Sequence, residues 1–243
     1  MVLVFFGIVA VLSLAFAQYW GLYIAPPDRM MGDLYRILFV HVPCAWMAML
    51  FFTLNFVASL LYVVSPMRVV RGRAGSSPDS SEGPASPARA YDRFAHSTAE
   101  IGVVLTGLAL ALGSLWGKPV WGVWWTWDPR LTTTALLFIM YSGYLILRRL
   151  IDDPEKRSKI AASVGLLIFL NVPIVYLSVK WWRGIHQMQS SPQTMAPEMV
   201  LPLRLNALAL LGVCLVLLIF RLRLARRKAL LEERELMPPG GEK

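Results

Sequence analysis

Charged residues are scarce in this chain of 243 residues, making up only 16% of it against 56% of hydrophobic residues. This deficit, with a mean hydropathy of +0.54, excludes an ordinary soluble domain. The formal charge of +9 does not indicate nucleic-acid binding, because the basic residues lie in short flanks between apolar runs. We therefore predict an integral membrane protein.

Cysteine and histidine are also rare, with two and three residues respectively. Cys44 and Cys214 fall in different apolar runs, and the chain has no CxxC or CxxCH motif, so neither a redox pair nor covalent haem attachment is indicated. We expect packed thiols; the alternative is that Cys44, one turn from His41, is an accessory ligand. The chain also lacks a P-loop, so no nucleotide hydrolysis is expected.

Six apolar runs come close to or exceed the roughly 20 residues that a helix needs to cross a hydrocarbon core of about 30 Å. Asn171 and Pro173 predict a kink or a polar contact in the fifth run, and Pro202, Arg204 and Asn206 predict that the sixth begins in the membrane interface. The predicted fold is therefore all-α with six transmembrane helices. The runs are Val2–Ile24, Leu38–Val64, Thr98–Trp116, Leu131–Leu147, Ile160–Val179 and Leu201–Phe220.

The first run has a signal peptide as its alternative, because the Ala-Phe-Ala sequence at 15–17 resembles a cleavage site. However, no Lys or Arg precedes the run, and its apolar stretch is too long for a signal peptide. Tyr19, Trp20 and Tyr23 form an interfacial girdle after it. We expect a retained span.

Basic residues predict the orientation of the chain in the membrane. Of the 24 Lys and Arg residues, 17 lie after the second run, around the loop after the fourth, or beyond the sixth. The positive-inside rule therefore places both termini in the cytoplasm and the loop between the third and fourth helices outside. On the cytoplasmic side, residues 71–90 are rich in Gly, Ser and Pro and are expected to form a disordered linker. Residues 221–243 are expected to form a basic tail, helical to Leu236, on anionic lipid.

Five of the nine tryptophans lie between Trp116 and Thr134, in the sequence WGKPVWGVWWTWDPRLTTT. Trp121, Trp124, Trp125 and Asp128 have helical spacing, so a short helix would gather three indoles and a carboxylate on one face. Such a platform suits a large, flat, apolar ligand. The alternative is an aromatic belt where helices leave the bilayer, and Asp128 before a proline is also a good helix N-cap.

Two of the three histidines fall near this loop in the predicted topology. His41 lies at the outer end of the second helix, and His186 lies just beyond the fifth. Two imidazoles beside an indole platform fit a metal held on a flat ligand, and imidazole nitrogen is a preferred axial donor to haem iron. His96, one turn from Glu100 at the cytoplasmic start of the third helix, is expected to form an interfacial polar pair.

The sequence WGVWWTWDPRLT resembles the tryptophan-rich "WWD" signature of haem-handling proteins in cytochrome c biogenesis. The two histidine contexts, YRILFVHVPCAWM and LSVKWWRGIHQMQ, agree with it in order and sidedness. In length and in its six spans, the chain resembles the haem exporter protein C family of the cytochrome c maturation system. The resemblance covers the whole chain apart from the linker at 71–90 and the tail.

The resemblance implies that haem b binds non-covalently and transiently, with His41 and His186 as its axial ligands. It implies a multi-pass protein of the bacterial inner membrane with three kinds of partner: a periplasmic haem chaperone, an ATP-binding-cassette transporter that releases the loaded chaperone, and a small single-span protein. The residues that it implies as holding haem are Trp121, Trp124, Trp125, Trp127 and Asp128.

Other residues near the signature keep two interpretations each. Arg130 and Arg183 fit the haem propionates, since a guanidinium grips a carboxylate through two hydrogen bonds, or are ordinary flanking charge. Trp181 and Trp182 are either belt residues or a second wall of the platform. Four indoles that each lost about 150 Å² would contribute about 15 kcal/mol at most, so we expect an open site that allows release.

Haem binding and delivery without catalysis is the favoured function, and two alternatives stay open. A haem transporter through the bundle predicts polar residues deep in the spans, where Asn55, Asn171 and a few hydroxyl groups occur. A membrane enzyme with His41 and His186 as acid and base predicts outward carboxylates near them. The candidates besides Asp128 are Asp28, Asp33 and Glu198.

Overall fold

Helices make up nearly all of the structure, a computed structural model that describes residues 2–72, 86–182, 184–186, 190, 193 and 195–236, with the backbone alone at 66–72 and 232–236. A π-helical turn, Trp20–Ile24, prolongs α1, and a 3-10 turn, Asp33–Ile37, leads into α2. The described ranges contain no strand, only an isolated bridge between Asp28 and Gly32. The helices are α1 (Val2–Tyr19), α2 (Leu38–Gly72), α3 (Pro87–Trp121), α4 (Pro129–Leu150), α5 (Pro154–Phe169), α6 (Asn171–Trp181) and α7 (Pro197–Leu236).

Six helical segments are long and apolar enough to cross a membrane, with α5 and α6 together forming the fifth. This confirms the predicted all-α membrane class. The helices extend beyond the predicted runs; α3, for example, starts at Pro87 rather than Thr98. Hydropathy marks only the apolar part of a helix, whereas backbone hydrogen bonds and caps fix where it starts and stops.

Local caps explain several of these boundaries. The side chains of Ser86 and Asp153 accept hydrogen bonds from backbone N–H groups in the first turns of α3 and α5. A proline follows each of them, and because proline has no N–H group, it leaves no donor unpaired at the helix start. The N–H of Lys156 lowers the pKa of the Asp153 carboxyl below its usual value. α3 ends because Gly122 adopts a left-handed conformation, with φ of +79°, and donates to the Lys118 carbonyl at 3.0 Å.

The fifth span contains the expected interruption. α5 ends at Phe169 and α6 begins at Asn171. Pro173 lacks the N–H that would bond to the Phe169 carbonyl, which favours a break at this point. The Asn171 side chain donates to the carbonyl of Thr133 in α4 at 2.8 Å, so the span has both a kink and a polar contact.

The helix of the sixth span begins before the predicted apolar run. α7 starts at Pro197 and continues through that region to Leu236. Asn206 is fully buried, and its amide donates to the Ala17 carbonyl of α1 at 2.8 Å and to the Pro202 carbonyl at 2.9 Å. Asn206 therefore joins α7 to α1, and the interfacial start of the span stays a prediction.

The core lies between α2, α3 and α4, where Phe51 and Phe52 are fully buried. Phe52 stacks on Tyr141 of α4, with ring centroids 3.8 Å apart. α2 and α3 run antiparallel, since Phe52 lies at Gly102 and His41 at Gly113. We call the end of the bundle with the C-terminus of α2 and the N-terminus of α3 the linker end. The opposite end, between α3 and α4, is the tryptophan-loop end. The cavity described below lies at the tryptophan-loop end.

Ion pairs hold α3 to its neighbours towards the linker end. Arg148 of α4 makes two hydrogen bonds to Asp92 of α3, at 2.7 and 2.8 Å. Glu100 accepts from Arg221 of α7 and lies 3.6 Å from the His96 ring nitrogen. The predicted pair of His96 and Glu100 is confirmed, and it belongs to a larger charged cluster.

The predicted linker and tail are described only in part. Arg71 and Gly72 end α2, and Pro87 to Ala90 begin α3, so both ends of the 71–90 segment are helical. Residues 73–85 lie outside the described residues, and linker disorder stays a prediction. The tail is helical to Leu236, as expected, and residues 237–243 lie outside the description.

Candidate functional site

A cavity opens at the tryptophan-loop end, between α2, α3, α4, α6 and the loops beside them. Its empty space is about 1150 Å³, a figure that includes open solvent at the mouth. The wall is mainly apolar and aromatic, with a few polar groups. The aromatic and titratable residues in it include His41, Trp46, Trp116, Trp121, Trp125, Arg130, Tyr176 and His186.

His41 lies in the first turn of α2 and faces α3. Its ring packs over Gly113, where an added Cβ would lie 3.0 Å from the ring Cε1, so glycine leaves room for the imidazole. The Trp116 ring lies 6.1 Å away, edge-on. The Nδ1 atom of His41 is buried and has no hydrogen-bond partner among the described residues. A buried nitrogen without a partner is unfavourable by itself and is a donor position for a ligand.

His186 lies in the loop after α6 and lines the same cavity as His41. Its ring is 6.1 Å from the ring of Trp121, the last residue of α3. The structure therefore brings the two histidines that the sequence singled out to one cavity.

The tryptophan loop is not the short helix that its spacing predicts; that prediction is wrong. Gly122 ends α3, and residues 122–128 are irregular. Trp121 and Trp125 line the cavity, whereas Trp124 and Trp127 are 55% and 82% exposed and are not among its described lining residues. Helical spacing does not hold across the break at Gly122, so the indoles point in different directions.

Asp128 has the predicted capping role. Its Oδ1 accepts the backbone N–H groups of Arg130, at 2.9 Å, and Leu131, at 3.4 Å, at the start of α4. Its Oδ2 accepts the N–H of Ile185 at 2.9 Å. The carboxylate is buried against the backbone and is not among the described lining residues.

The remaining predicted residues fall into three groups. Arg130 lines the cavity and donates to the Tyr176 carbonyl at 3.4 Å, while Arg183 lies outside the described residues. Trp181 and Trp182 contact each other edge-on, are half exposed, and are not among the described lining residues. Cys44 is buried in the core cluster, as expected for a packed thiol.

Several lining residues were not predicted from the sequence, although their helical spacing from His41 was visible in it. Those of α2 follow a helical period through His41, and those of α3 include Gly113 and Trp116. Extending a helical face from His41 would have found Trp46. The α2 positions that line the cavity are 38, 41, 42, 45, 46, 48 and 49.

The fold and the cavity define a class of protein: a multi-pass helical membrane protein with an aromatic, histidine-containing pocket at one end of its bundle. The chain belongs to the haem exporter protein C family, whose sequence model, described as "Heme exporter protein C", matches residues 1–75 and 88–236. The residues between these two matched segments lie within the predicted linker.

Relatives with this name cover most of the chain. Heme exporter protein C of Bradyrhizobium diazoefficiens is 36% identical over 219 residues, covering 86% of this chain and 74% of the relative. Heme exporter protein C of Escherichia coli K12 is 33% identical over 218 residues, covering 89% and 80%. A putative cytochrome c biosynthesis ccmC-like mitochondrial protein of Marchantia polymorpha is 33% identical over 179 residues, covering 74% and 67%. The family handles haem in cytochrome c biogenesis, as a transport and assembly component.

Proposed function

We propose that this protein binds haem b non-covalently and transiently at the outer face of the bacterial inner membrane and delivers it to a periplasmic haem chaperone. One observation carries the proposal: the cavity at the tryptophan-loop end is lined by both His41 and His186 together with Trp121 and Trp125. Family membership makes haem the natural ligand.

The lining chemistry fits a porphyrin with an iron at its centre. His41 offers a buried ring nitrogen that lacks a protein partner, and His186 offers a second imidazole from another wall. The indoles of Trp121 and Trp125 supply flat apolar contact. Arg130 supplies a guanidinium suited to a propionate carboxylate.

Release is as necessary for delivery as capture. The two loop indoles that line the cavity, Trp121 and Trp125, would contribute about 7.5 kcal/mol at most if each lost about 150 Å², and Trp46 and Trp116 also line it. The open mouth leaves one edge of a bound haem accessible to an incoming chaperone. In keeping with the family resemblance, an ATP-binding-cassette transporter then releases the loaded chaperone, with a small single-span protein assisting.

The two alternatives have less support. A path for haem through the bundle would have to pass Phe52 and Tyr141, which are fully buried and stacked one turn beyond the cavity wall. Asn55, deep in α2, bonds to the Ala95 carbonyl at 2.7 Å rather than lining a passage. An acid–base enzyme would need a carboxylate that faces the cavity beside the histidine rings. None of the described lining residues carries one, and the Asp128 carboxylate near His186 instead accepts backbone N–H groups.

The absorbance spectrum of the protein purified from haem-replete cells tests the proposal. We expect co-purified haem with a six-coordinate spectrum, because two imidazoles are available. The same protein from haem-depleted cells is the control and should gain that spectrum when haem is added. A protein that stays colourless under both conditions would contradict the proposal.

A further inference from the structure

Asp128 connects two segments that each carry a residue of the cavity. Through Oδ1 it caps α4, beside Arg130. Through Oδ2 it accepts the N–H of Ile185 at 2.9 Å and that of His186 at 3.4 Å. One buried carboxylate therefore links the first turn of α4 to the backbone of the His186 loop, 57 and 58 residues further along the chain.

A second Asp-Pro sequence in the chain shows what helix capping alone requires. Asp153 starts α5, and its Oδ1 accepts the N–H groups of Glu155, at 2.8 Å, and Lys156, at 3.1 Å. Asp153 thus caps a helix with one oxygen and is exposed. Capping leaves the second oxygen of an aspartate free for another use, and in Asp128 that oxygen holds the His186 loop.

Gly184 permits this contact. A Cβ atom built on Gly184 would lie 2.0 Å from Asp128 Oδ2 and 3.0 Å from its Cγ, far inside van der Waals contact. The reason for glycine here is this close approach, not a left-handed backbone, since its φ is not in the positive range. Any side chain at 184 would displace the carboxylate from the amides of Ile185 and His186.

We propose that Asp128 and Gly184 are positioning residues for haem ligation, an inference that rests on the proposed function. We call their contact the Asp128–Gly184 clasp. It fixes the backbone at His186, while Trp121 packs near the imidazole ring. A ligand carried on a loop depends on such support, because loops are more mobile than the helices that they connect. Hydrogen bonds to a carboxylate are about twice as strong as neutral ones, which suits this role.

The clasp distinguishes aspartate from asparagine. An asparagine has one acceptor oxygen and one amide nitrogen that only donates. In Asp128→Asn, the oxygen can still cap α4, but the NH₂ group then faces the N–H of Ile185, where two donors cannot bond. Because asparagine is about as good an N-cap residue as aspartate, we expect its oxygen to stay at the cap, so that the variant loses the clasp. Asp153→Asn is its matched control at the other end of the bundle.

Hydrogen exchange in the haem-free protein tests the clasp without any ligand. In Asp128→Asn, we expect the amides of Ile185 and His186 to exchange roughly tenfold faster than in the wild type, while the first turn of α4 keeps its protection. Asp153→Asn should leave the loop unchanged. Unchanged exchange at Ile185 and His186 in Asp128→Asn would overturn the proposal.

The spectrum of the haem-loaded protein tests the consequence for the ligand. Asp128→Asn and Gly184→Ala should each weaken haem retention roughly tenfold and shift the spectrum from six-coordinate towards five-coordinate, with recovery on adding imidazole. Gly143→Ala, at a glycine with open space around it, should keep the wild-type spectrum. Gly184→Ala also serves as the test if Asp128→Asn does not fold.

The outcomes separate the clasp from the function on which it rests. Faster exchange in Asp128→Asn with an unchanged six-coordinate spectrum would show that the contact exists but does not position a ligand, which overturns the inference. A wild-type protein that binds no haem would instead overturn the proposed function, and the exchange data would still decide whether Asp128 holds the loop.

Discussion

At the scale of single residues, the two histidines of the cavity are held in different ways. His41 is part of a helix, and its ring fits into the space that Gly113 leaves on α3. His186 lies in a loop, and its backbone N–H lies 3.4 Å from the Asp128 carboxylate. The same type of side chain is thus held once by a helix and once by a loop that the Asp128 side chain anchors.

Replacing either cavity histidine should create an open coordination position. His41→Gly and His186→Gly should each lower co-purified haem severalfold, and added imidazole should restore the six-coordinate spectrum because the free ring fits the vacated space. Absorbance spectroscopy with an imidazole titration measures this. His96→Gly is the control, since His96 lies in the charged cluster with Glu100 towards the linker end and should not change the spectrum. A response to imidazole in neither cavity variant would rule out ligation by both histidines.

The tryptophans should divide into two pairs. Trp121→Ala with Trp125→Ala should lower co-purified haem severalfold, because these two indoles line the cavity and each buries roughly 150 Å² or more against a ligand. Trp124→Ala with Trp127→Ala is the matched pair in the same loop and should retain most of the haem, because both indoles point outward. Equal loss in both double variants would mean that the loop acts as a whole. Haem content per protein, measured as the pyridine haemochrome, decides between these results.

At the scale of helices, polar contacts inside the bundle set which helices stay together. The pair of Arg148 and Asp92 joins α4 to α3 through two hydrogen bonds between side chains that are 6% and 14% exposed. Removing one partner of a buried pair leaves the other charge without compensation, which is far more costly than losing an exposed pair.

Asp92→Ala should therefore lower the free energy of unfolding by about 3–5 kcal/mol. Thermal unfolding in detergent, followed by circular dichroism, measures the change. Asp33→Ala is the control, because Asp33 also pairs with an arginine, Arg36, but its side chain is 79% exposed, and its loss should cost less than about 1 kcal/mol. Similar losses of unfolding free energy in the two variants would show that the buried pair of Arg148 and Asp92 stabilises the protein no more than the exposed pair does.

The elements were largely predictable from sequence, and the exceptions have physical reasons. Apolar length located all six spans, and Asp128 before a proline located the start of α4. Helical spacing failed at the tryptophan loop because Gly122 turns the backbone out of the helix, which a periodicity count does not register. The partner of Asn206 was not predictable, because a polar residue near the start of an apolar run does not reveal that it bonds to the Ala17 carbonyl of another helix.

The two histidines of the candidate site were predictable from the sequence, but the other contacts that shape the cavity were not. His41 and His186 stood out because histidine is rare in the chain, and both line the cavity. The second use of the Asp128 carboxylate and the need for glycine at 184 depend on contacts between segments far apart in sequence. No local pattern encodes such contacts, so they become visible only in three dimensions.

At the scale of the whole molecule, orientation in the membrane decides whether the cavity can serve an extracytoplasmic partner. Cysteine at Val123 or Ser190 should react with an impermeant thiol reagent in intact cells, whereas cysteine at Ser80 or Asp152 should not, because the basic flanks favour the cytoplasm. Val123 is preferable to Gly122, whose positive φ disfavours a side chain. The native Cys44 and Cys214 are buried, so the background labelling should be low. Labelling at Ser80 and Asp152 alone would invert the topology and remove the delivery function.

The contact between α1 and α7 has a consequence for how the chain is made. α1 packs chiefly on α7, where Gly7 faces Val216 and Asn206 reaches the Ala17 carbonyl. A ribosome produces α1 before the other described helices and α7 after them. α1 therefore cannot pack against α7 until the helices between them have been translated. The side chain of Asn206 has a hydrogen-bond acceptor even before α7 contacts α1. Its NH₂ group also donates to the Pro202 carbonyl one turn back, at 2.9 Å, so this donor has a partner within its own helix before α1 is reached.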